Sequence, residues 1–589
     1  MMEDCTFSGV LAAGVPRSAR LCEPSRVTAD SDAGLAAVAA LVAEYGVHSR
    51  PIRDVVVALT DRGWTLAELV RVTAVPRRTV EEVLAALGPD LAPGEALRIR
   101  GDRAGEYRER FGLPRTTALA DPLGPALAAA GDLLATMTRL RADAPPPRRA
   151  LDHVAATPET AVRRALWLDA HFDLAGGHLL CVGDHDLTAL ATCLLRPELT
   201  ATVVDVDERL LAYLDGAAVS AGLSVRCLAG DLRFGLPPAA AGRAGLAFTD
   251  PPYTPDGVRL FLERAVEGLT AGGQVLLAYG FSERTPALGL AVQRTFGELE
   301  LVVEAQWPAF SRYDGAQAVG SASDLYLLRP TNKARRKGAR GGRPTIYTHG
   351  EQSAEASGVA SAEVAVALVE AAAGPEGLPV LEAAPTPGVL RAALTRGGSA
   401  ARLVGERPLG AVWTGGIPGP ARSGAVAVDA TADPGSWLLR ILLAVDARRV
   451  AVAVGNQHPD LADAVSQRAL AELVAPKWAL RFRRSTPGPT SALVEAVAVD
   501  EPPDQGDRLV RHVLDRAHGK LVNVWRDGLV TICGLPKPDA TRRVAEFLPT
   551  ARPPGRPGAP AAAPEIDATL MEIPRHRLTP LFAAIRASV

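Results

Sequence analysis

Apolar runs and amphipathic stretches alternate between residues 179 and 328 in the manner of repeated strand and helix units. The runs at 179–182, 201–205, 224–229, 244–249 and 274–279 predict strands, and the stretches at 187–195, 208–221 and 257–269 predict the helices among them. Two further runs, 301–305 and 325–328, read as a closing antiparallel pair. Such alternation implies a parallel sheet with helices on both faces, a Rossmann-like doubly wound α/β fold. Ligands of such sheets sit at the carboxyl ends of the strands.

The same patterning divides the rest of the chain. Residues 1–31 read as an N-terminal tail and 32–115 as a winged-helix-like domain, in which helices at 65–73 and 77–87 flank Ala74-Val75-Pro76 and 96–101 supplies a wing strand. Arg77 and Arg78 are candidates for DNA contact, but two arginines are a thin electrostatic footprint, and a module used only for packing or dimerisation is the favoured account of the pattern. Residues 116–150 form a helical connector ending in Pro145-Pro146-Pro147, and 151–331 form the α/β domain. Basic residues among glycines, Lys333 to Arg343, mark 332–358 as a linker. A weaker α/β alternation over 359–550 is the C-terminal α/β extension, either a degenerate second copy used for dimerisation or a substrate lid. Residues 551–589 hold a Pro/Ala-rich linker and a helix.

Composition narrows the function classes. With 48% hydrophobic residues, 22% charged residues and a net charge of −2, the chain is an ordinary globular protein and does not coat nucleic acid through overall charge. Its six cysteines show no CxxC pair and no histidine at metal-ligand spacing, so they read as free thiols in a reducing compartment, with no metal. Glu3 and Asp4 stand where a secretory signal carries Lys or Arg, and no 18-residue uncharged apolar run occurs; a cytoplasmic protein with no membrane partner is expected.

The chemistry is concentrated at the strand ends of the α/β domain. After the fourth strand comes Asp250-Pro251-Pro252-Tyr253-Thr254, where two prolines stiffen the turn and hold one carboxylate beside one aromatic ring, an arrangement suited to gripping an amine. Acidic residues also end the other strands: Gly183-Asp184-His185-Asp186, Asp205-Val206-Asp207-Glu208 and Gly230-Asp231. Asp205 suits ribose hydroxyls and Asp231 an adenine amino group. Singly, Asp186, Asp207 and Glu208 are also explained as helix caps or first-turn acids. The first loop has one glycine and two carboxylates, which repel an anionic tail and attract an ammonium. A donor with adenine, ribose, a sulfonium and an amine but no carboxylate fits it, which describes decarboxylated S-adenosylmethionine. Between Asp169 and Pro330 there are 20 Asp and Glu against 11 Lys and Arg, a balance that concentrates polycations and disfavours nucleic acid.

These motifs resemble the N(4)-bis(aminopropyl)spermidine synthases, the branched-chain polyamine synthases, over roughly residues 152–330, and the winged-helix N-terminus is similar to the family's layout. The family's Gly-Asp-Asp-Asp corresponds to Gly183-Asp184-His185-Asp186, its Asp-Pro-Pro-Tyr-Thr to Asp250–Thr254, and its nucleoside-binding stretches resemble Val204–Arg209 and Asp231-Leu232-Arg233. His185 departs from the pattern and brings a group that ordinarily titrates near neutrality.

The resemblance implies aminopropyl transfer from decarboxylated S-adenosylmethionine, a co-substrate rather than a permanently bound cofactor, to the secondary amine of spermidine or a related polyamine. Its products are branched polyamines and methylthioadenosine, and the expected assembly is a homodimer. Asp250 is then the first choice for the reacting nitrogen, with Tyr253 holding the alkyl-ammonium chain. Asp186 and Asp184 are candidates for base or ammonium anchor, and His185 and Thr254 line the acceptor. Gly183, Asp184, Asp205 and Asp231 hold the donor. Trp307, Phe310 and Tyr313 are candidates for walls of the acceptor channel. Two rival readings remain. Asp-Pro-Pro-Tyr on a methyltransferase-type sheet also serves amino methyltransferases that act on nucleic acid. Alternatively, a degenerate transferase domain makes the chain a polyamine-responsive winged-helix regulator.

Overall fold

A computed structural model of the chain describes residues 32–113, 121–334, 361–386, 388–397, 403–417, 424–548 and 567–589. The N-terminal tail, nearly all of the basic linker and the Pro/Ala-rich stretch fall outside the described residues. Two compact units are present, Met1–Arg115 and Thr116–Val589.

In the first unit, helices Leu66–Thr73 and Arg77–Leu87 are joined through Ala74, which takes a left-handed backbone. Thr65 and Glu68 close a reciprocal capping box that fixes the start of the first of these helices. Leu69, Val70, Val80 and Val83 are buried, as their spacing predicts. Where a wing strand was expected at 96–101 there are two isolated bridges, Trp64 to Leu97 and Leu91 to Ile99, followed by a helix at Gly101–Phe111. A strand needs a continuous ladder, and this segment finds a partner only at alternate points.

The second unit contains two sheets. The first is built from β1 (His178–Val182), β2 (Thr200–Asp205), β3 (Val225–Ala229), β4 (Ala244–Thr249), β5 (Leu269–Tyr279), β6 (Leu301–Arg312) and β7 (Ala322–Pro330), in the order β3-β2-β1-β4-β5-β7-β6. The first five strands are parallel and the last two antiparallel, as the patterning predicts. β6 runs well past the predicted 301–305, with register shifts at Val303/Ala305 and Trp307/Ser311. Ser311 near the end of this strand and Tyr313 just past it both reach Arg164.

The second sheet comprises β8 (Val380–Ala384), β9 (Leu403–Pro408), β10 (Ala425–Asp429), β11 (Arg449–Gly455), β12 (Trp478–Arg483) and β13 (Ser491–Ala498). Its order from the β9 edge is β9-β8-β10-β11-β13-β12. This is the connectivity of the first sheet without a counterpart of β3, down to the antiparallel closing pair. One apolar core runs across both halves, from Leu180 and Leu232 to Trp437 and Trp525. Polar contacts join them as well. Arg440 reaches Glu208, and His576 and Arg577 hold Asp215. Segment 567–573 lies along β3, where the Ala229 N–H donates to the Glu572 carbonyl at 2.8 Å and Arg226 and Arg243 bind Asp567.

Candidate active site

A cavity of about 440 Å³ opens at the carboxyl ends of β1, β2, β3 and β4. Its wall includes Gly183–Asp186, Asp205, Asp231, Asp250, Tyr253 and Tyr313, so the sheet brings together most of the residues singled out from the sequence. The Asp-Pro-Pro-Tyr turn is fixed at both ends. Thr249 donates from its hydroxyl to the Val182 carbonyl at 2.8 Å, and the Thr254 hydroxyl accepts from the Gly257 N–H at 2.9 Å, capping the helix Pro255–Gly268. Thr254 is thus a helix cap outside the cavity wall, not a group facing an acceptor.

The centre of the site is Arg164, on the helix Pro158–His171. Its side chain is 1% exposed, and it donates to Asp186 at 2.7 Å and to Asp250 at 2.8 Å, as well as to the hydroxyls of Ser311, Tyr313 and Thr188. Burial opposes the guanidinium charge, but Tyr313, Asp186 and Asp250 outweigh it and raise the Arg164 pKa. Tyr313 donates to Asp250 at 2.6 Å, and the Tyr253 hydroxyl lies 3.2 Å from both Asp250 and Tyr313.

The two carboxyls on Arg164 are pushed apart. Burial raises Asp250 to about 7, with the Asp186 charge adding to the rise against the pull of Arg164. Burial pulls upward on Asp186 too, but Arg164 and the Ala156 N–H, which donates to it at 2.8 Å, keep it below the ordinary carboxylate range. Asp186 is therefore an anchor for Arg164 rather than a base or an ammonium clamp. Asp250, poised near neutrality, is suited to exchange a proton.

In the first loop, Gly183 has φ of +70° and packs against Phe261, a conformation that disfavours a side chain. Asp184 is 2% exposed, and its two oxygens accept the Thr188 and Ala189 N–H groups at 2.7 and 2.9 Å. It caps the helix Thr188–Leu195 and does not project a free carboxylate to an ammonium. Burial raises it to about 8. His185 stacks on His153 with ring centroids 4.6 Å apart, and burial followed by His153 pushes it down to about 4. It therefore does not titrate near neutrality. At the β2 end, Asp205 accepts the Asp207 N–H at 2.8 Å and the Asp184 N–H at 3.3 Å, with burial raising it to about 6.

Asp231 departs from expectation. Both its oxygens are engaged, by the Arg233 N–H and guanidinium and by the Trp437 indole at 2.8 Å, so it shapes the β3 loop instead of accepting from an adenine amino group. Of the three aromatic candidates only Tyr313 lines the cavity; Trp307 packs on Trp167 and His171, and Phe310 is buried in the core. Sequence reasoning missed Arg164 and His153. Arg164 was detectable, because Ala161, Arg164, Ala165 and Leu168 share the apolar stripe of one helix, where a charge requires buried partners.

A doubly wound sheet whose strand-end carboxyls and phenols meet in one cavity defines an α/β domain with its ligand site at the carboxyl ends of the strands. Residues 132–333 match the branched-chain polyamine synthase A C-terminal domain. The N(4)-bis(aminopropyl)spermidine synthase of Thermococcus kodakarensis is 32% identical over 143 residues, 24% of this chain and 41% of that protein. The protein of the same name from Thermus thermophilus is 36% identical over 126 residues, 21% of this chain and 37% of its own. The chain spans under half the length of the curated relatives it matches. A crystal structure of a variant Thermus thermophilus branched-chain polyamine synthase with N4-aminopropylspermidine and 5'-methylthioadenosine aligns with a TM-score of 0.40 at 23% identity, covering 55% of this chain and 98% of that one.

Proposed function

We propose that the chain is an aminopropyltransferase that moves an aminopropyl group from decarboxylated S-adenosylmethionine to a secondary amine of spermidine or a related polyamine. The observation that carries this reading is Asp184. The N–H groups at a helix N-terminus after the first strand are where a donor's carboxylate would be received, and here the chain's own carboxyl occupies those of Thr188 and Ala189. A donor lacking the carboxylate loses nothing at such a site, whereas S-adenosylmethionine meets a filled anion hole.

The reaction is an in-line displacement. The amine lone pair attacks the carbon next to the sulfonium, a C–N bond forms as the C–S bond breaks, and methylthioadenosine leaves as a neutral thioether. The acceptor nitrogen must shed a proton, and Asp250 takes it, with its carboxylate aimed by Tyr313 and Arg164. Tyr253 flanks that nitrogen, and Asp205 receives the ribose hydroxyls. The similarity of residues 132–333 to the polyamine synthase domain supports the same reading.

Incubation of the purified chain with spermidine and either sulfonium donor tests it. Methylthioadenosine is expected with the decarboxylated donor alone. Formation of S-adenosylhomocysteine from the carboxylated donor would instead establish methyl transfer.

A further inference from the structure

Among the polar contacts that join the second α/β half to the cavity-forming half, two share one helix. Helix Trp437–Ala444 begins where Asp433 accepts four successive N–H groups, from Gly435 to Leu438. That cap is itself held by His458 at 3.0 Å, so the start of the helix is rigidly placed. Trp437 and Arg440 are three residues apart and project from the same face. The Trp437 indole donates to Asp231 at 2.8 Å, while the Arg233 guanidinium lies over the same ring at 4.9 Å. One turn on, Arg440 binds Glu208 and donates to the Leu570 carbonyl at 3.0 Å. Both side chains are buried.

These contacts fall on the two loops that shape the nucleoside end of the cavity. Asp231 follows β3, and its neighbours Gly230 and Leu232 form part of the wall. Glu208 closes the loop that begins at Asp205, and Val206 lines the same cavity. Neither Trp437 nor Arg440 reaches the wall. We propose that the helix Trp437–Ala444 is a positioning element for the donor's nucleoside, clamping the loops after β2 and β3 through Trp437–Asp231 and Arg440–Glu208, so that donor affinity is set from the second half. This rests on the nucleoside assignment made above but not on the identity of the group transferred.

The test reads nucleoside affinity apart from turnover. Methylthioadenosine and S-adenosylhomocysteine are titrated calorimetrically into the full chain and into Trp437→Phe, Arg440→Lys and Ser436→Ala. Trp437→Phe keeps the ring and loses one hydrogen bond, so about 2- to 10-fold weaker nucleoside binding is expected, with KM for the donor rising in step and kcat at saturation within twofold. Arg440→Lys shifts affinity in the same direction. Ser436→Ala, in the adjoining turn and with a hydroxyl that has no hydrogen-bond partner among the described residues, leaves it unchanged. Unaltered nucleoside affinity in both Trp437→Phe and Arg440→Lys overturns the proposal, as does a fall in kcat with KM constant. Amide exchange on the unsubstituted chain gives a second reading: adding methylthioadenosine should slow exchange at 206–210, 231–235 and 437–441 together, and protection that stops short of 437–441 refutes the clamp. A chain that binds nucleoside through this helix yet transfers no aminopropyl group sinks the function proposed above and leaves the clamp standing.

Discussion

The two sheets of the second unit share a strand order but use their carboxyl edges in different ways. In the first, Asp186 and Asp250, after β1 and β4, converge on Arg164 beside a cavity, while Asp184, Asp207 and Asp231 cap the backbone that follows them. In the second, the acids on and after β8 and β10 accept from nearby backbone. Glu382 accepts the Leu390 and Arg391 N–H groups, Asp429 accepts from Thr431, and Asp433 caps the helix that follows. A row of strand-end acids is therefore no sign of chemistry by itself. What separates the halves is the stiff Asp-Pro-Pro-Tyr turn and a buried cation that gathers carboxyls from two loops.

The largest expected effect sets Asp250 against Asp429, the acids at the ends of equivalent strands. Asp250→Asn should lower turnover by about 10²- to 10⁴-fold with an unchanged circular dichroism spectrum. Asp429→Asn should leave turnover within twofold while lowering the melting temperature. Comparable losses in both variants would break the contrast. Next comes Arg164→Met, which strands two buried carboxyls; removing one partner of such a cluster costs about 3–5 kcal/mol, to be read by urea unfolding. A stability loss below 1 kcal/mol would mean that Arg164 does not hold the site together.

His458 in the second half offers a smaller effect. Burial opposes its charge, but Asp433 raises its pKa above 6.5. The contribution of a histidine shifted in this direction is complete below 6.5 and fades as pH rises through the folded value, so His458→Ala should destabilise most at pH 6 and progressively less toward pH 9. Urea midpoints of both proteins across that range decide it; a difference that grows with pH contradicts the pairing. The smallest effect is the pH profile of kcat. Asp250 must be ionised to take a proton and titrates at about 7, so kcat should fall roughly tenfold per unit below that pH and level off above it. A profile flat from pH 5.5 to 8 removes Asp250 as the base.

Much of this was legible before any coordinates. The strand and helix succession of the first sheet follows from the period of its apolar residues, and Asp250 and Asp205 were found by asking what each strand end presents. Where reading failed, the cause was distance along the chain. Asp231 looks free until Trp437 arrives from the other half, and Asp186 looks like a base until Arg164 is placed beside it. The second sheet was only partly visible, because its alternation is weaker and β9 carries Glu406 and Arg407 where an apolar run would mark a strand. Capping by Asp184 was a local matter, and the five-residue reach from Asp184 to Ala189 held the clue.

Segment 567–573 has a consequence for how the chain is made. It covers β3 from a position 341 residues downstream of Arg226. At the usual pace of synthesis, on the order of 5–20 residues per second, the edge of the first sheet waits roughly twenty seconds to a minute for its cover. Through that interval a row of unpaired backbone donors is open to any neighbouring chain. Production in a host short of chaperone capacity should therefore lose material to aggregation while the edge of β3 awaits its cover, rather than after release.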